Sequence, residues 1–407
     1  MSSTILLYGA DGYLGRLIVA EAVATWAGAT DARTFDLVLA GANATRVREL
    51  ARQHGLPVRE IDLDEPSRLA SQLFDIDVLV NAAGPFADTA LVLAAAALQA
   101  GCHAVDLNPE VDVYRKLGEF EQRATQARLA MVRSAGPGAA ASTLMVDAAL
   151  RRLIDIGYLA ERCIGAIRIA LECVPDFSRS SAASVWRALP RDVTIVRAVA
   201  LPASSEADGA VAMRCDHVPI GILERQFDFS VAGGAGPVPR DARIASAANL
   251  VDTVAAGVTV EQIGQLAGTV ESYVSITTQS RIAYQVGSQV LSLFAPIEAT
   301  SPVKALTAAS FGALPDGPTA SAGAGGHTIV LEVEDEERTR IVDWRLRTPD
   351  FYLVGARTAF AVAEAVAGGA FSGLLTAAQV LDTNLGGEPP FYGRALRDCH
   401  LDKRVLV

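Results

Sequence analysis

The sequence predicts an α/β protein in which a doubly wound parallel sheet fills the first third of the chain and a second α+β domain follows it. Three observations predict this. Short apolar, β-rich runs alternate with helical patterns through the first 135 residues, which is how βαβ units feed a parallel sheet. A glycine-rich loop joins the first strand to the first helix. Beyond residue 155 the strands lengthen, alternate in polarity and lose their regular crossovers. At 407 residues and 51% apolar composition the chain also exceeds what one core accommodates.

The elements read in order as follows. Strands are expected over 4–8, 36–40, 58–61, 78–81, 104–106 and 129–132, where Ile, Leu and Val cluster. Helices are expected between them over 14–26, 44–54, 65–74 and 89–100, where apolar residues recur at helical spacing. The turn Ser134-Ala135-Gly136-Pro137-Gly138 leads into a helix over 142–154. In the second domain, strands are expected over 167–173, 328–333 and 340–344, and a Gly, Ala, Ser and Pro-rich loop over 314–326. An Ala-rich, largely apolar helix over 354–368 is expected to pack back on the first domain. The division is 1–140, 141–350 and 351–407.

The first loop reads Gly9-Ala10-Asp11-Gly12-Tyr13-Leu14-Gly15. Glycines at this spacing permit a tight turn, let backbone amides approach a diphosphate, and let helix and sheet pack closely. The diphosphate then lies at the positive end of the helix. This strand, loop and helix make the expected fold Rossmann-type and the expected ligand a nicotinamide dinucleotide. The second strand ends in Gly41-Ala42-Asn43, with no carboxylate to accept from a ribose 2′-hydroxyl and with Arg46 and Arg48 nearby. NADP is therefore expected, with NAD as the alternative. Asn81-Ala82-Ala83-Gly84-Pro85-Phe86 and Asp106-Leu107-Asn108-Pro109-Glu110 each follow a strand, at the edge where open α/β sheets bind ligands. Ala82, Ala83, Gly84, Pro85, Phe86 and Asp106 thus join the cofactor-binding candidates.

Composition excludes several alternatives. A net charge of -11 argues against a nucleic-acid surface. Five scattered cysteines (Cys102, Cys163, Cys173, Cys215, Cys399) with no Cys-x-x-Cys pair indicate neither a disulfide framework nor a metal site. The first residues run directly into a strand with no signal-peptide pattern, and the most apolar late stretch carries Arg357 and Glu364. A cytoplasmic chain with a small-molecule substrate, no integral membrane span and room for a homodimer is expected.

These motifs in succession resemble the saccharopine dehydrogenase-like NAD(P)-binding family, including its trans-acting enoyl reductase branch. The segments Leu314-Pro315-Asp316-Gly317-Pro318, Thr348-Pro349-Asp350-Phe351-Tyr352 and Gly373-Leu374-Leu375-Thr376 carry the resemblance into the second half. It implies a mixed-sheet second domain closing over the cofactor, and hydride transfer. The chain departs from the family pattern at Ala42, at Pro109 and at Gly136-Pro137-Gly138-Ala139.

Hydride transfer asks the protein for orientation and a proton donor. A Tyr-x-x-x-Lys pair is absent, since the lysines are Lys116, Lys304 and Lys403. His103 reads as structural, Asp106 and Glu110 lie at the ligand edge, and Tyr284, Tyr352 and His327 are candidates from the second domain. No catalytic residue is assigned. The expected activity is hydride transfer to or from a small metabolite or an acyl or polyketide-like C=C bond. The alternatives are a C–N oxidoreductase of saccharopine dehydrogenase type and a non-catalytic dinucleotide-binding regulator.

Overall fold

The computed structural model describes residues 3–28, 35–63, 65–137, 139–172, 192–200, 211–219, 224–231, 242–247, 251–261, 266–275, 317, 326–385, 393 and 395–407. In chain order the first part contains β1 (Ser3–Tyr8), α1 (Tyr13–Gly28), β2 (Phe35–Ala40), α2 (Ala44–His54), the short α3 (Pro66–Leu69), β3 (Val78–Asn81), α4 (Phe86–Ala100), β4 (His103–Asp106), α5 (Val111–Leu117), α6 (Glu121–Ala127) and β5 (Ala130–Val132). The second contains α7 (Ala140–Asp155), β6 (Ile164–Glu172), β7 (Asp192–Ala200), β8 (Val211–Pro219), β9 (Glu224–Asp228), β10 (Ala242–Ala247), α8 (Val251–Glu261), β11 (Leu266–Ser275), β12 (His327–Asp335) and β13 (Arg340–Thr348). The chain ends in α9 (Phe351–Gly368), β14 (Gly373–Leu375), α10 (Ala377–Leu385) and β15 (His400–Leu406).

The first sheet has the order β14-β5-β4-β3-β1-β2 with every pairing parallel. Helices cover both faces, so its strands are apolar throughout rather than alternating; Ile5, Leu6, Leu7 and Tyr8 are all buried. Local chemistry sets the helix ends. Asn43 caps α2 by accepting from the Arg46 amide at 3.1 Å, and Gly55 closes it at a φ of 64°.

One expected strand is corrected. Residues 58–61 form no strand: a single bridge joins Val58 to Leu39. Leu39 donates to the Pro57 carbonyl and accepts from the Arg59 amide, both at 2.9 Å, and the pairing goes no further because Pro57 has no amide to donate. The sixth strand is β14, contributed from the far end of the chain and paired in parallel with β5. Helix α4 also starts three residues earlier than its periodicity indicates, and α5 and α6 carry no pattern strong enough to predict them. Helix α9 packs along α1 and under β1, β3 and β4, with Phe360 against Phe35 at 5.6 Å between ring centres. It is long and apolar enough to cross a membrane, but 61% of it is buried within the molecule.

The second sheet is mixed. Its path is β15-β13-β12-β6-β11-β10-β9, with β7 pairing β11 and β8, and β6 runs parallel to β11. One face presents Ile167, Ile169, Leu331, Val333, Trp344 and Leu346 to Met145, Leu150 and Val254 of α7 and α8. The other face curls inward around Phe227, Tyr273 and Val330. Charged residues surround that small core: Arg168 lies between Glu334 at 2.8 Å and Glu271 at 3.5 Å, and Arg345 lies buried against Asp343. The curl brings the first and last strands of the path together, for Arg404 of β15 pairs with Asp228 of β9 at 2.7 Å.

Candidate functional site

The glycine loop lies at the carboxyl edge of the first sheet. Gly9 has a φ of 85°, and a Cβ there would stand 2.7 Å from the Ala83 amide nitrogen. At Gly15 a Cβ would stand 2.2 Å from the Gly9 carbonyl oxygen, and at Gly12 it would stand 3.2 Å from the same atom. The glycines at 9 and 15 are therefore imposed by contact, and the one at 12 less stringently. The Gly9 and Ala10 amides both donate to the Ala40 carbonyl at 2.9 and 3.0 Å, which fastens the loop to the end of β2. The next amides, from Tyr13 and Leu14, open α1 and have no intrahelical carbonyl within reach. The first turn of α1 carries no acidic residue, so nothing there opposes an anion. The donor set fits a diphosphate.

At the end of β2, Gly41 lies against the loop, so close that a Cβ there would meet the Asp11 carboxylate at 2.6 Å. Ala42 and Asn43 are exposed beside it, and Arg46 approaches Asp11 at 3.8 Å. Arg48 is engaged elsewhere, in an exposed ion pair with Glu60.

The loops after β3 and β4 latch into each other. Asn81 and Asp106 are register partners at the ends of these strands, and the Asn81 amide donates to the Asp106 carboxylate at 2.8 Å. The Asn108 backbone amide donates to the same carboxylate at 3.0 Å. Burial pushes the Asp106 carboxyl up to about 6, against the lowering effect of the bonds from Asn81 and Asn108. Thr89 donates to the Ala83 carbonyl at 2.7 Å, Glu110 accepts from the Phe86 amide at 3.1 Å, and Ser134 donates to the Asn108 carbonyl at 2.6 Å. Asp106 is thus placed beneath the loops as their organiser. It caps no helix, because α5 starts at Val111 with Glu110 as its N-cap. Ala82, Ala83, Gly84, Pro85 and Phe86 form the wall above this network. The Asn108 side-chain oxygen accepts from the Glu110 amide at 2.7 Å, while among the described residues its nitrogen is buried without a partner.

Residues of the second half close on the same edge. A Cβ on Gly317 would lie 2.1 Å from the Tyr13 ring. Tyr352, at the start of α9, meets Tyr13 edge-on at 5.2 Å, and Phe351 meets His327 at 6.5 Å. Burial raises the Tyr13 hydroxyl above the ordinary tyrosine range, and Asp350 adds to the rise. Burial lowers the His327 imidazole, with Glu172 and Asp350 acting the other way. Arg347 beside it bonds Glu172 and Thr328, both at 3.0 Å. Gly355 of α9 sits on Pro137, where a Cβ would come within 2.3 Å of the ring. A void of about 10 Å³ remains between Pro137, Ala141, Ile329, Phe351 and Val354.

The other candidates separate. His103 lies at the opposite, amino edge of β4, where its Nδ1 accepts from the Ala130 amide at 2.8 Å, a structural role. Tyr284 and most of 314–326 lie outside the described residues. Sequence reasoning missed Asn108, Thr89 and Ser134. It also missed Asp252, buried in α8 against the Ser142 hydroxyl of α7, whose carboxyl burial pushes up to about 7. Asn81 and Asp106 offered a usable signal, since each is the last, polar residue of an apolar parallel strand.

Residues 5–141 match the family described as the saccharopine dehydrogenase NADP binding domain. Among solved structures, apo saccharopine dehydrogenase (L-Glu forming) from Saccharomyces cerevisiae is similar at 13% identity and a TM-score of 0.54, over 99% of this chain and 100% of that one. The homospermidine synthase of Legionella pneumophila, in complex with NAD, is similar at 9% identity and a TM-score of 0.58, over 99% of this chain and 91% of that one. No curated protein matches the sequence. These likenesses carry the fold across the whole chain and the nucleotide-binding domain across its first third. None of them bears on the enoyl reductase branch.

Proposed function

We propose that the chain is an NAD(P)-dependent oxidoreductase that transfers hydride to or from a small-molecule substrate, with NADP preferred and NAD accepted. The observation that carries this reading is the pair of backbone approaches at Gly9 and Gly15, where a Cβ would stand 2.7 and 2.2 Å from its neighbours. Only bare glycine lets the loop pack against Ala83 and against its own first turn, the tight turn from strand to helix that a diphosphate loop needs. When bound, the nicotinamide supplies or takes the hydride. The chain's own part is to hold the diphosphate on the loop amides, to wall the ribose and ring side with Ala82 to Phe86, and to exclude water through Tyr352 and Gly317 over Tyr13. We assign the holding or moving of a proton to Tyr352 and His327, which lie against Tyr13 and Phe351 on this edge.

The bond acted on is C–N rather than C=C. Supporting this, Glu172 and Arg347 stand as an opposite-charge pair at 3.0 Å beside His327, suited to the ammonium and carboxylate of an amino acid. Titration of the purified protein with NADPH and NADH, followed by tryptophan fluorescence, is expected to give saturable quenching; no response to either ends the reading. Amino-acid and keto-acid pairs should then oxidise the reduced cofactor while enoyl thioesters do not, and the reverse pattern overturns the C–N assignment.

A further inference from the structure

The end of β2 supplies no carboxylate of its own, yet one is present. Gly41 lacks the Cβ that would collide with Asp11 Oδ1 at 2.6 Å, and the space so left holds the Asp11 side chain, delivered from the glycine loop. Arg46, whose backbone amide is fixed by the Asn43 cap, reaches that carboxylate with Nε 3.8 Å from Oδ2. We infer that Asp11 and Arg46 together read the 2′ position of the adenosine ribose: Asp11 accepts from a free 2′-hydroxyl, and Arg46 leaves Asp11 to pair with a 2′-phosphate. This rests on the dinucleotide reading above and adds the residues that choose between its two forms.

The physical chemistry favours a selector of this kind. The pair is loose, with Asp11 and Arg46 side chains 18% and 40% exposed, and partly exposed ion pairs hold weakly. A phosphate carries more charge than a carboxylate and matches the planar fork of a guanidinium, so it displaces Asp11 as the partner of Arg46. The Asp11 backbone stays in place, because its carbonyl accepts from Arg16 at 2.5 Å, and the space over Gly41 takes its carboxylate. Arg48 pairs with Glu60 rather than with Asp11. A 2′-phosphate thus gains Arg46 but meets the Asp11 charge, while a 2′-hydroxyl gains Asp11 and leaves the pair intact. Both forms are admitted, which a carboxylate fixed on the strand would not allow.

Dissociation constants for NADPH and NADH, measured by fluorescence quenching on wild type, Arg46→Gln and Asp11→Asn, test the inference. Arg46→Gln is expected to weaken NADPH about tenfold, the loss of one charge-assisted contact, and to leave NADH within about twofold. Asp11→Asn is expected to tighten NADPH and weaken NADH. An Arg46→Gln chain that loses both cofactors equally, or an unchanged NADPH-to-NADH ratio in both variants, overturns the selector. If Asp11→Asn does not fold, Arg46→Gln and Arg46→Lys decide alone, Lys being expected to retain part of the NADPH preference. Wild type that binds neither cofactor overturns the underlying dinucleotide reading instead, a result distinct from binding without selection.

Discussion

At the scale of single residues, the strongest constraints come from atoms that are missing. Gly15→Val adds side-chain atoms where even a Cβ would stand 2.2 Å from the Gly9 carbonyl oxygen. It is expected to weaken dinucleotide binding by more than about tenfold, measured by the same titration. Gly12→Ala meets only a 3.2 Å contact and should cost less. Away from the loop, Glu21 of α1 and Arg357 of α9 form a buried pair at 3.6 Å, with side chains 6% and 7% exposed, and Arg397 joins Glu21 at 2.9 Å. Among the described residues, Glu21→Ala leaves the buried Arg357 charge with Asp398 and the Arg397 carbonyl. Removing one member of a buried pair typically costs about 3 kcal/mol, so chemical denaturation should show a loss of that order.

At the scale of elements, α7 and α8 are joined by the Ser142 hydroxyl and the Asp252 carboxylate. Burial pushes the Asp252 carboxyl up to about 7, against the lowering effect of the bond from Ser142. The folded state therefore keeps a proton that the unfolded chain has released once pH passes about 4. That contribution is complete below pH 4 and is lost as pH rises through about 7. Asp252→Asn should flatten this part of the stability curve, so wild type and variant melting temperatures should diverge between pH 4 and pH 7. A parallel offset at every pH would contradict it. The elements also show what was legible. Strands β1 to β4 and helix α2 could be read because apolar runs, Asn43 and Gly55 mark them locally. The bridge at Val58 and the strand β14 could not. One stops at Pro57, which has no amide to extend the pairing with β2; the other depends on three residues whose partner is β5, some 240 positions earlier in the chain. Of the candidate site, the glycine loop was legible because its demand is on the backbone. Asn108, Ser134 and the Asp11–Arg46 pair were hidden because only the folded chain brings them together.

At the scale of the whole molecule, the first sheet is closed by β14 and backed by α9, both drawn from the last quarter of the chain. A fragment ending at residue 141 lacks both, leaving the β5 edge and the apolar surface under Phe360 and Ala363 uncovered. It is expected to melt without cooperativity and to bind no NADPH, as calorimetry and titration would reveal; a sharply melting, cofactor-binding fragment would refute this. The return of the chain also has a consequence in time. A ribosome releases β1 to β5 some 240 residues before β14, so a growing polypeptide carries an unfinished sheet over that whole stretch, and coenzyme capture waits until the last strand has emerged.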